Sequence, residues 1–176
     1  MALREECVLA VVDVQERLLP HIHEGERVVA NAARLVKVAR MLGLPVLWAE
    51  QEKLGATVEP VRSELSGLAP IGKAEFGALG CAPFRERLAS LGRRTLVVCG
   101  VEAHICVAQT VLQALPEYEV HVVSDAVGSR APENRAVALE RLRQAGAVVT
   151  CSEMFFYEIL QRAGTGEFRA VLPLVK

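Results

Sequence analysis

Three residues in this sequence have the chemistry of a nucleophilic site: Cys106 in GVEAHICVAQT, Asp13 in CVLAVVDV and Lys73 in PIGKAEFGALG. A thiol attacks an electrophilic carbon well only when a base takes its proton or a positive charge holds the thiolate. A carboxylate supplies the first and an ammonium the second. Each residue alone also has an ordinary explanation. Asp13 suits a helix cap or a solvated strand end, Lys73 an exposed surface position, and Cys106 a small buried hydrophobe. Their positions relative to the predicted strands make the three informative together.

The run Cys7 to Val14 is apolar at every position up to Asp13, which predicts a strand buried on both faces. From Glu26 to Leu42, apolar residues recur at helical spacing, and Gly43 stops the helix before the strand PVLWAE. API, Ala69 to Ile71, reads as a short strand, and Pro83 opens a helix to about Leu91. TLVVCG, Thr95 to Gly100, is a further buried strand, and His104 to Leu115 reads as a helix. YEVHVVSD is a strand ending in Asp125. Pro132 to about Ala145 is a helix, AVVT the last strand and SEMFFYEIL the last long helix. This alternation predicts an α/β fold with a parallel sheet and helices on both faces. In such folds function gathers at the carboxyl ends of strands, which is where Asp13, Lys73 and Cys106 fall. Cys106 lies near the first turn of its helix, where backbone N–H groups favour a thiolate and an oxyanion.

Other chemistries fit less well. Phosphatases of the haloacid-dehalogenase type need a second aspartate two residues after the first, and Gln15 stands there. Dinucleotide binding needs G-x-G-x-x-G after the first strand, and DVQERL has no glycine. His21 and His23 form an H-x-H that does not complete a metal site. A redox role for Cys106 needs a resolving partner, for which Cys99 and Cys151 are the candidates. The chain has 176 residues, 52% hydrophobic, with a net charge of -1, which suits one domain over 1–176 and no nucleic-acid partner. No apolar run is long enough to span a membrane, and the N-terminus reads as the entry to the first strand rather than a leader. The cysteines are odd in number, 5, without C-x-x-C, which points to a reducing cytoplasm rather than a disulfide or zinc framework.

These segments together resemble the isochorismatase-like cysteine hydrolase superfamily. The resemblance runs through DVQERL, NAARLVKVARMLGLPVLWAEQ, GKAEFGA, GVEAHICVAQT and SDAVGSRAPENRAVALERLRQAGAVVTCSE. It is nearer to the isochorismatase-domain hydrolases than to the nicotinamidases. It implies a three-layer α/β/α fold with a six-stranded sheet in the order 3-2-1-4-5-6. It implies an Asp13, Lys73, Cys106 triad, a cis peptide at Val101–Glu102, and an oxyanion hole from the backbone N–H groups of Glu102 and Cys106. Members that cleave the vinyl ether of isochorismate lack the cysteine, so its presence favours hydrolysis of an amide-type C–N bond in a small molecule. Gln15, Trp48, Glu50, Gln51 and His104 are the candidate pocket residues. Metal-dependent relatives carry Asp-x-His after the second strand, where AEQEKLG has no histidine, so no metal or other cofactor is expected. Members commonly form homo-oligomers, and the aromatic-rich run from Met154 to Tyr157 suits a subunit contact in a dimer or tetramer. The alternative is a catalytically silent binding or scaffold module on the same fold.

Overall fold

The structure is a computed structural model that describes residues 1–175. Its strands are β1 (Cys7–Val12), β2 (Val46–Gln51), β3 (Ile71–Lys73), β4 (Thr95–Val101), β5 (Glu119–Gly128) and β6 (Val148–Thr150). They form one sheet in the order β3-β2-β1-β4-β5-β6, with every neighbouring pair parallel. The helices are α1 (Gly25–Met41), α2 (Val61–Glu64), α3 (Ala82–Ser90), α4 (Ala108–Ala114), α5 (Pro132–Gln144), α6 (Ser152–Leu160) and α7 (Gly166–Val175).

All six residues of β1 are buried, which explains a run with no polar alternation. Cys7, Leu9 and Val11 join one apolar layer with Leu35 of α1, Phe155 of α6 and Val171 of α7. Val8, Ala10 and Val12 join the other with Phe84 of α3, Val111 of α4 and Leu142 of α5. The sheet is therefore sealed on both faces, and function is left to its edges and loop-bearing ends.

The boundaries differ from the sequence expectations in ways that matter to the site. β1 ends at Val12 rather than Val14, because Asp13 takes a φ of 53° and turns the chain out of the strand. β3 begins at Ile71, later than the expected Ala69, since Pro70 has no N–H to give a ladder. That shift puts Lys73 inside the strand, paired with Gln51. The helix expected from His104 starts only at Ala108, preceded by a wide π-type turn over Ala103–Val107. β5 continues past Asp125 to Gly128. The last helix is not α6 but α7, whose internal Pro173 and flanking Gly164 and Gly166 masked it in the sequence.

Gly100 is what allows β4 to approach the end of β1. It pairs with Val12 at a φ of +125°, and a Cβ there would lie 1.9 Å from the Val12 carbonyl oxygen. The contact is with backbone, so no side-chain movement relieves it. Gly100→Ala should therefore destabilise the protein by about 4 kcal/mol or prevent folding. Urea unfolding followed by circular dichroism measures this, and a loss under about 1 kcal/mol would show that the two strand ends can separate freely.

Candidate active site

Lys73 ends β3 at the sheet edge, yet it is only 2% exposed. Its Nζ donates to Asp13 Oδ2 at 2.7 Å, to Gln51 Oε1 at 2.7 Å, and to the carbonyls of Glu75 and Phe76 at 3.1 Å each. An ammonium has three N–H donors, so four acceptors saturate it. Asp13 is wholly buried. Its N–H still reaches the Ala49 carbonyl at 3.1 Å, which fixes the residue at the rim of the sheet. Among the described residues its Oδ1 has no hydrogen-bond partner. One oxygen is thus held by Lys73 and the other is left over.

Cys106 sits in the π-type turn and is 6% exposed, packed with Ala103 and Val107 in the α3–α5 layer. Burial pushes its thiol up to about 12, the Asp13 charge adds to that, and Lys73 opposes it. Burial also holds the Asp13 carboxyl above its usual range, against the pull of the Lys73 charge and hydrogen bond. Burial therefore outweighs the electropositive surroundings expected of a helix start. A thiol held that high is protonated at neutral pH, so any nucleophilic role would need a base to take its proton.

Two further contacts tie the lysine loop to the cysteine turn. Thr110 donates from Oγ1 to the Cys106 carbonyl at 2.6 Å and accepts from the Ala78 N–H at 2.9 Å. Gly77 leaves room for Gln113 of α4, whose Oε1 would be 2.3 Å from a Cβ. Neither residue was singled out in the sequence. The spacing of Thr110, four after Cys106, carries a signal, since a helical hydroxyl commonly bonds the carbonyl one turn back.

The expected pocket residues separate into two groups. Gln51 meets Lys73, and Gln15 holds Gln51 by its backbone. Trp48 and Glu50 lie on the opposite face of β2. Trp48 Nε1 donates to Thr57 Oγ1 at 2.8 Å, and that hydroxyl donates to Glu50 Oε1 at 2.8 Å. Trp48 packs in the α1 layer, whereas its neighbours Leu47 and Ala49 pack in the Cys106 layer. These two side chains brace the loop after β2 and do not face Asp13, Lys73 and Cys106, because strand residues alternate. His104 is half-buried, with Nδ1 at 3.0 Å from Ser129 Oγ. Glu102 follows a cis peptide bond with Val101. Its carboxylate accepts from the Arg130 N–H at 2.9 Å and from Arg130 Nε. Its carbonyl accepts from the N–H groups of Ile105 and Val107. Arg130 was not foreseen, although it follows β5 beside the acid that it neutralises. Cys99 lies in the apolar layer across the sheet from Cys106, out of place for a resolving thiol. Among the described residues no three His, Cys, Asp or Glu side chains gather as a metal site requires.

The sequence model of the isochorismatase domain matches residues 7–154. The chain belongs to the isochorismatase family. It is 36% identical to isochorismatase domain-containing protein 2 of Homo sapiens over 173 residues, covering 96% of this chain and 82% of that one. It is also 36% identical to the secreted isochorismatase effector Isc1 of Phytophthora sojae over 178 residues, covering 96% and 84%. Among solved structures it resembles the MAR1 ribonuclease from Caenorhabditis elegans, with a TM-score of 0.92 and 31% identity over 99% of this chain and 91% of that one. The sheet order and the relatives agree on an isochorismatase-like hydrolase fold. No helix among the described residues is long and apolar enough to cross a membrane.

Lys73 is the full positive charge that lowers the Cys106 pKa. Removing it should move Cys106 ionisation further up. Lys73→Ala should shift the pH profile of iodoacetamide labelling at Cys106 towards higher pH, with the other cysteines followed by peptide mass. An unchanged profile would mean that the thiol does not feel the Lys73 charge.

Proposed function

We propose that this isochorismatase-family protein is a cysteine hydrolase of small amide-type substrates, with Asp13, Lys73 and Cys106 as its catalytic triad. The observation that carries the reading is the buried Lys73–Asp13 pair, which leaves one Asp13 oxygen without a hydrogen-bond partner among the described residues, near a thiol of raised pKa.

The reaction runs through a thioester. Asp13 accepts the Sγ proton as sulfur attacks the substrate carbonyl carbon, and the carbonyl π electrons move to oxygen. Backbone N–H groups of Glu102 and Cys106 receive that oxyanion, at roughly 3–4 kcal/mol per donor. The intermediate collapses, the C–N bond breaks, and the protonated Asp13 gives its proton to the leaving amine. Water then adds to the thioester with Asp13 as base. The carboxylic acid leaves, and sulfur takes back the proton. Lys73 holds Asp13 in place and balances its charge throughout. Gln51 and His104 are the side chains we assign to the pocket wall.

A nucleophile only 6% exposed suits a small substrate and not a polynucleotide. The near-neutral charge of -1 agrees with that, although one structural relative is described as a ribonuclease. Met1, Met154 and Tyr157 are exposed around one patch, and we take this patch as a contact in a homo-oligomer. Five free cysteines suit a reducing compartment such as the cytoplasm.

A panel of amides and carbamoyl compounds, assayed for ammonia release, tests the activity. Cys106→Ala should lower turnover of any substrate by at least about 10³-fold. The wild type should show an acyl adduct at Cys106 by mass spectrometry. Chelators should leave the rate unchanged, and the rate should rise with pH through a midpoint above the usual aspartate value, as Asp13 loses its proton. Turnover that survives in Cys106→Ala would end this reading. A protein that binds panel members without cleaving any would support the silent binding module instead.

A further inference from the structure

Gln15 is wholly buried, and its amide is almost fully used. Nε2 donates to the Gln51 carbonyl at 3.0 Å and to the Gly55 carbonyl at 2.7 Å, and Oε1 accepts from the Gln51 N–H at 2.9 Å. The reason lies in the sheet. β1 pairs with β2 up to Val12 opposite Ala49, and then Asp13 turns away. Gln51 lies two residues further along β2, with β3 on its other side. Its N–H and C=O, which a longer β1 would have satisfied, are taken by a side-chain amide. Gln15 continues the ladder where the backbone has left it.

The side chain of Gln51 extends that support to the site. Its Nε2 donates to the Ala74 carbonyl at 2.8 Å, and its Oε1 accepts from Lys73 Nζ at 2.7 Å. Lys73 in turn holds Asp13 Oδ2 at 2.7 Å. The chain of contacts thus runs from Gln15 through Gln51 and Lys73 to the carboxylate.

We propose that Gln15 and Gln51 form a positioning clamp that fixes the Lys73 ammonium against one oxygen of Asp13 and so sets the pH at which Asp13 becomes a base. The inference deepens the hydrolase reading and rests on Asp13 as its base, but its test needs no turnover. The groups that act on Asp13 are the Lys73 ammonium at the end of β3, the Cys106 thiol from the turn after β4, and Gln51 from β2. Glu102 acts on the Cys106 side of the site. Lys73 is the only cation among these, so loosening it raises the Asp13 midpoint.

The chain has only two aspartates, Asp13 and Asp125, so protein labelled with ¹³C at the aspartate carboxyl gives two signals, assigned with Asp13→Asn. Gln15→Met removes all three Gln15 bonds, and Gln51→Met removes the acceptor on Lys73 while leaving those bonds in place. In both, the Asp13 midpoint should rise by about one pH unit, with the Asp125 signal unmoved. A purely structural role would lower the urea midpoint without moving the Asp13 titration. If Gln15→Met does not fold, Gln51→Met, with its half-buried side chain, decides the matter alone. An unmoved Asp13 midpoint in folded Gln51→Met overturns the clamp, whether or not the protein hydrolyses amides. A raised midpoint supports it even if no amide is cleaved, a result that would count against the hydrolase reading only.

Discussion

A lysine and an aspartate, both with side chains shut off from solvent, meet at 2.7 Å at one end of the sheet. Taking either ion out of water alone costs several kcal/mol. Together they persist because every donor of the ammonium finds an acceptor: a carboxylate oxygen, an amide oxygen and two loop carbonyls. Much of the surrounding architecture supplies these partners. β3 ends at Lys73 opposite Gln51, and the loop after it bends so that Glu75 and Phe76 turn their carbonyls inward. Thr110 of α4 then bonds both that loop and the Cys106 carbonyl, and Gln113 of the same helix packs against Gly77.

The same burial decides the chemistry of Cys106. Cysteines at the starts of helices are often thiolates at neutral pH. This one is held protonated, because α4 begins after it and the turn that holds it is buried beside a carboxylate. A resting thiol is poorly reactive towards adventitious electrophiles and oxidants. In the proposed mechanism it becomes a nucleophile when its proton has a receiver, and Asp13 Oδ1 is a buried acceptor without a hydrogen-bond partner among the described residues. For the proposed amide hydrolysis, the raised Asp13 pKa would make the aspartate a better match for returning that proton to an amine.

The sheet was legible because a strand buried on both faces must be mostly apolar, and the runs at Cys7, Leu96 and Val120 were, with His121 the one polar residue among them. Asp13 was legible as the first charge after such a run, whereas the close approach that requires Gly100 was not. The positions of Trp48 and Glu50 were open to the same reasoning. They share strand parity with each other and not with Gln51, so they had to leave on the opposite face. What no local pattern carries is partnership across distance. Glu102 and Arg130, 28 residues apart, and Lys73 and Asp13, 60 apart, meet only through the fold. α7 stayed hidden for a different reason. Pro173 argues against a helix by propensity, but the burial of Val171 against α1 outweighs that in the last turn.

Three unfavourable features coincide at Asp13. Asp13 has a left-handed backbone, a buried charge and, among the described residues, a buried oxygen without a hydrogen-bond partner. The backbone and the oxygen each cost on the order of 1–3 kcal/mol, the charge costs more, and none of the three helps to build the sheet. Well-packed apolar residues in place of a buried ion pair commonly leave stability unchanged or improve it. A scaffold that used only the surface of this fold would gain from losing the pair. An active site would not, since an unpaired carboxylate oxygen next to a protonated thiol is idle in folding and useful in proton transfer. The coincidence of these costs at Asp13 is what favours the proposed hydrolase over a silent scaffold.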